Sequence, residues 1–76
     1  MEKLTKRQAE IFTFIKASIK ETGMAPTSTE IGEHFGIWPN GAWLHIKALL
    51  KKGAVTYTEG KTRSVLPVKG YRVRVK

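Results

Sequence analysis

A chain of 76 residues with 41% apolar residues and no cysteine has room for one small domain, held by a hydrophobic core rather than by disulfides or thiolate metal sites. No apolar run approaches the roughly 18 residues of a membrane span. The stretch after Lys3, Lys6 and Arg7 is interrupted by Gln8, Glu10 and Lys16, which excludes a signal-peptide core and leaves a cytoplasmic protein as the expectation.

The net charge of +8 is one-sided. Residues 1–38 hold five basic and five acidic groups, whereas residues 39–76 hold nine basic groups against Glu59 alone. A positive field of this kind concentrates polyanions, so the second half points to nucleic acid; solubility alone is the plainer alternative.

Thr5-Lys6-Arg7-Gln8 has the form of a capping box, in which hydroxyl and amide side chains each satisfy the other's backbone N–H. A first helix is expected from there to about Glu21 or Thr22. Ile11, Phe12, Ile15 and Ile19 form its buried stripe, broadened by Phe14, and Gly23 stops it. Thr27-Ser28-Thr29-Glu30 is a second capping box, so a short second helix should start at Ser28, face inward with Ile31 and Phe35, and end at Gly36. Ile37 plugs the core from the turn. Pro39 suits the first turn of a third helix, where its missing N–H costs nothing. Ala42, Ile46, Leu49 and Leu50 then point inward and Asn40, Trp43, Leu44, Lys47 and Lys51 outward, with Gly41 and Ala48 near the edge. Lys51-Lys52-Gly53 closes that helix with cations and a glycine.

Ala54–Thr58 reads as a strand, Glu59-Gly60-Lys61 as a tight turn and Thr62–Leu66 as the return strand. Pro67 to Gly70 breaks the chain again. Residues 71–76 alternate Tyr71, Val73 and Val75 with Arg72, Arg74 and Lys76, a third strand or an extended basic tail, with period two favouring the strand. The expected fold is α+β, a winged helix-turn-helix: three helices, then a β-hairpin wing. Its second and third helices, joined by a short turn, have the form that places the later helix in a DNA major groove.

The residues Leu4-Thr5, Arg7-Gln8, Thr22-Gly23-Met24, Pro26-Thr27, Glu30-Ile31, Gly36, Pro39-Asn40, His45 through Leu49 and Lys52-Gly53 together resemble the N-terminal DNA-binding domain of the bacterial LexA repressors. The resemblance covers residues 1 to about 65. It divides the chain into a LexA-like unit at 1–66 and a basic strand or tail at 67–76, packed on that unit or extending from it. It implies operator binding in transcriptional repression, with contacts from the third helix and the wing.

This chain departs from the family in three places. The turn before Pro39 is one residue shorter and lacks the family's serine, so Trp38 abuts Pro39. The family's base-reading Asn-Ala-Ala-Glu-Glu is Asn40-Gly41-Ala42-Trp43-Leu44 here, which implies a different operator. The family's C-terminal self-cleaving half has no counterpart, so no protease activity is expected.

The expected DNA-facing set is Arg7, Thr27, Ser28, Asn40, Gly41, Trp43, Leu44, Lys47, Lys51, Lys61, Thr62 and Arg63. Asn40 matches the family's base-contacting asparagine and can read an adenine edge, or it is a plain helix N-cap. Lys47, Lys51 and Lys52 neutralise phosphates or form a solvated helix face. Lys61, Thr62 and Arg63 reach the backbone or minor groove, or decorate an ordinary hairpin tip. Arg7 touches the DNA backbone or is a surface arginine. Trp43 and Leu44 are covered by the Tyr71–Val75 strand, or contact thymine methyls, or anchor a protein partner or a second copy. A further alternative is non-specific single-strand binding through Tyr71, Arg72 and Arg74. His34 and His45 lack companions for a metal site, and Ser18, Ser28 and Ser64 lack a base for nucleophilic catalysis. Neither an enzyme nor a cofactor is expected.

Overall fold

Two reciprocal caps start the first two helices. The Thr5 N–H donates to Gln8 Oε1 at 3.0 Å and the Gln8 N–H to the Thr5 hydroxyl at 3.2 Å. The same exchange joins Thr27 and Glu30 at 2.9 and 3.1 Å. The structure, a computed structural model, describes residues 3–75. Helix α1 runs Lys6–Thr22, α2 Ser28–Phe35 and α3 Pro39–Lys51. Gly23 (φ 78°) and Gly36 (φ 69°) end the first two in the left-handed region, where a side chain would be strained.

The core forms where the three helices meet. Leu4, Ile11, Phe12, Ile15, Ile31, Ile46 and Leu49 are fully buried, with Ala42, Ala54, Val55 and Val65 around them. Ile19, Phe14, Phe35, Ile37 and Leu50 pack half-buried on its margin. Each large aliphatic removed from water contributes about 1.5–3 kcal/mol, and these residues hold α3 against both α1 and α2.

The helix-turn-helix angle is set by Gly32. It is buried inside α2, its carbonyl accepts the Ile37 N–H at 2.9 Å, and the turn backbone lies directly on its Cα. A Cβ there would sit 2.5 Å from the Ile37 carbonyl oxygen.

The wing is the expected antiparallel hairpin after three helices, with shorter strands than expected. Strands β1 (Val55–Thr56) and β2 (Leu66–Pro67) pair antiparallel, Val55 with Pro67 and Thr56 with Leu66. The return strand therefore begins four residues later than expected and includes the proline read as a breaker. Both strands are edges, so Pro67 has an outward side where no N–H is needed. Residues 57–65 form a loop because side chains displace the ladder. The Thr58 N–H donates to the Ser64 hydroxyl, which in turn lies 3.0 Å from the Thr58 carbonyl and 2.9 Å from that of Lys61. Arg63 takes φ 54°.

Residues 71–75 are not a third strand of this sheet. They run extended along α1, with Tyr71 5.5 Å from the Phe12 ring and a single parallel bridge between Leu4 and Val75. The Leu4 N–H donates to the Arg74 carbonyl at 2.6 Å beside that bridge. Lys76, the last basic residue of the expected tail, lies outside the described residues. Among the described residues no helix is long and apolar enough to cross a membrane.

Candidate nucleic-acid interface

Helix α3 carries one continuous exposed stripe. Asn40, Leu44, Lys47 and Lys51 recur at spacings of four, three and four, and all four are exposed. Residues at these spacings lie above one another on a helix. Ala42, Ile46 and Leu49 on the opposite side are buried, so core packing fixes which face looks out. Among the described residues, Lys47 and Lys51 make no ion pair.

Asn40 is not the helix cap. Trp38 holds that position without a side-chain cap, Pro39 is the first helical residue and Asn40 the second. Among the described residues the Asn40 amide makes no hydrogen bond, so its donor and acceptor pair faces solvent. Beside it, a Cβ on Gly41 would meet open space, so packing does not require the glycine. Trp38 is 82% exposed at this end of the helix, a position absent from the expected set.

Trp43 and Leu44 part company. The expected cover of residues 71–75 lies on α1 instead, because Tyr71 packs on Phe12. Trp43 is half-buried against Tyr57 of the wing, ring centroids 5.0 Å apart at 63°, whereas Leu44 stands 62% exposed on the Asn40 stripe. Neighbours in sequence on a helix diverge by 100°, and here the wing covers one and not the other. Tyr57 is the partner that the sequence does not reveal; it lies just beyond the short β1.

A cleft of about 280 Å³ between the start of α2, helix α3 and the wing is bordered by Thr27, Ser28, Trp43, Lys61, Thr62 and Arg63. Six of the expected residues thus meet in one place. Lys61 and Thr62 are exposed at its wing side. Thr27 is committed to capping α2, and Ser28 is half-buried.

Arg63 is engaged within the protein rather than extended toward solvent. Its guanidinium donates to Glu30 Oε1 at 2.7 Å and Oε2 at 3.0 Å, and also to the Ala25 carbonyl at 3.1 Å. This fork ties the wing to the first turn of α2. The Arg63 hydrogen bonds, then the Thr27 backbone N–H, lower the Glu30 carboxyl from 4.5 to about 2. A lowered carboxyl stabilises the fold above its ordinary value, and that contribution is lost as pH falls through the folded one. The wing anchor therefore weakens between about pH 4.5 and pH 2. Glu30→Gln keeps a side-chain oxygen that accepts the Thr27 N–H, as Gln8 does for Thr5 in α1, but removes the charge. Its acid-unfolding curve is expected to be flatter than that of the wild type across this window.

Lys52 is also used internally. Its ammonium donates to the Lys3 carbonyl at 2.9 Å and to Gln8 Oε1 at 2.7 Å, tying the end of α3 to the start of α1. It is therefore withdrawn from the expected phosphate-contacting group. Arg7 lies 5.2 Å over the Phe35 ring and 3.8 Å from Glu10. His34 stacks on Phe14 at 4.2 Å, a packing role. Among the described residues no group of three or more acidic, histidine or cysteine side chains is placed to hold a metal.

A family model described as the LexA DNA binding domain matches residues 1–64. The chain is 47% identical over 66 residues to the LexA repressor of Pseudomonas aeruginosa, covering 86% of this chain and 32% of the relative. LexA repressor 1 of Pseudomonas putida is also 47% identical over 66 residues, 86% of this chain and 33% of the relative. LexA repressor 1 of Pseudomonas syringae pv. tomato is 44% identical over 75 residues, 97% of this chain and 37% of the relative. The chain thus spans about a third of the length of the curated relatives it matches. Three helices packed around one core, a wing anchored to the second helix and a match over residues 1–64 place this chain in the LexA DNA-binding domain family.

Proposed function

We propose that the chain binds double-stranded DNA in a sequence-dependent way and acts in transcriptional repression, in the cytoplasm. Helix α3 enters the major groove with Asn40 leading, and Lys61 and Thr62 of the wing meet the backbone or minor groove. The observation that carries this reading is the exposed stripe of Asn40, Leu44, Lys47 and Lys51. It offers a base-reading amide at the helix start and cations farther along, the order in which such a helix meets base edges and then phosphates. The names of the relatives, all repressors, support the regulatory role.

Selection of bound duplexes from a random library at moderate salt tests the proposal. A defined motif is expected; uniform recovery of sequences contradicts it. Asn40→Ala should relax the preference at one adenine, with a discrimination loss of about 1–3 kcal/mol, and leave the rest of the motif in place. Competition between matched and single-substituted duplexes measures that loss.

A protein-docking role is the second reading, favoured by the exposure of Trp38 and Leu44. Trp43, the other proposed anchor, is engaged with Tyr57, which weakens it. This reading wins if Trp38→Ala, a change at an 82% exposed site, abolishes regulation while Lys47→Ala with Lys51→Ala leaves it intact.

A further inference from the structure

Leu44 has no packing reason to be a leucine. It is 62% exposed, one helical turn beyond Asn40 and just short of one turn before Lys47, on a stripe whose other members are polar. The wing covers Trp43 through Tyr57 but leaves Leu44 in the open. An isolated surface leucine is ordinary; a leucine between an amide and two lysines on a groove-facing stripe is placed where a base edge would lie.

The major groove offers one apolar group, the thymine C5-methyl. We infer that Leu44 is a specificity-determining residue that buries a thymine methyl beside the adenine read by Asn40. This rests on the proposed docking of α3. Four residues of helix advance about 6 Å, and base pairs rise about 3.4 Å, so the thymine lies within about two base pairs of that adenine. Apolar Leu44 can neither accept a hydrogen bond from a cytosine amine nor donate one to guanine. The recognised step is therefore A·T-biased at this position. Lys47 and Lys51 supply the positive surround that brings the duplex close enough for the methyl to be covered.

Deoxyuridine pairs like thymine but lacks the methyl, which gives a direct probe. In the selected motif, each thymine within two base pairs of the adenine assigned by Asn40→Ala is replaced in turn by deoxyuridine. Wild-type protein is expected to lose about fourfold in affinity at one of these positions, the effect of exposing one buried methyl. Leu44→Ala, a change at an exposed site that leaves the core untouched, should bind the thymine and deoxyuridine duplexes equally. Wild-type protein that keeps its motif but ignores every methyl overturns this inference and leaves the proposed function standing. Equal methyl sensitivity in wild type and Leu44→Ala likewise assigns the contact elsewhere and overturns it. If no motif emerges at all, the docking of α3 fails, and the inference with it.

Discussion

A double variant carrying Lys47→Ala and Lys51→Ala is expected to lose roughly 10–30-fold in duplex affinity at ~0.15 M salt. Each phosphate contact releases counterions, so the logarithm of affinity falls with the logarithm of salt by about 0.9 per contact. Removing two contacts should shrink that slope by about 2. Both side chains are exposed, so the fold should melt unchanged. Lys16→Ala with Lys20→Ala makes the same change in net charge on α1, whose exposed lysines are away from the α3 stripe. That pair should alter the slope little. Binding titrations over a range of salt check all three proteins. An equal loss from both pairs would mean that net charge alone, not the α3 face, governs binding.

The second large effect concerns the turn. Gly32→Ala puts a methyl 2.5 Å from the Ile37 carbonyl oxygen and 3.4 Å from the Pro39 nitrogen. Both obstacles are backbone, which cannot swing aside as a side-chain tip can. Overpacking of this kind costs about 1–3 kcal/mol, and in a domain this small each kcal/mol lowers the melting temperature by about 4–8 °C. A thermal melt should therefore fall by roughly 5–20 °C. Whatever relief the backbone finds comes by moving the turn that aims α3. Motif selectivity should consequently drop even at temperatures where the variant is folded. Gly41→Ala is the matched control for the melt, since a Cβ there meets open space.

What the sequence made legible follows from how local each cause is. Both capping boxes, the glycine stops and the inward faces of α1 and α3 depend on residues within one or two turns of each other, and the chain shows them directly. Pro39 at the start of α3 is of the same kind. The wing escaped because its determinants are non-local or compete with the ladder. Arg63 meets Glu30 across 33 residues, and the Ser64 hydroxyl takes Thr58 backbone groups that a strand would have paired. Lys52 turns inward to Gln8, 44 residues away, so a lysine that reads as surface charge is a tether. Alternation in residues 71–75 favoured a strand, and the pairing found there is one isolated bridge, Leu4 with Val75. Gly32 gave no signal either, since a glycine inside a helix announces neither a close approach nor what approaches.

Amide chemical-shift mapping of the protein, titrated with its selected duplex, tests the central claim most directly. Perturbations should concentrate on residues 39–51, strongest along Asn40, Leu44, Lys47 and Lys51, and on Lys61 and Thr62 of the wing. Shifts confined to the outer face of α1 and to residues 71–75, with α3 silent, would contradict it.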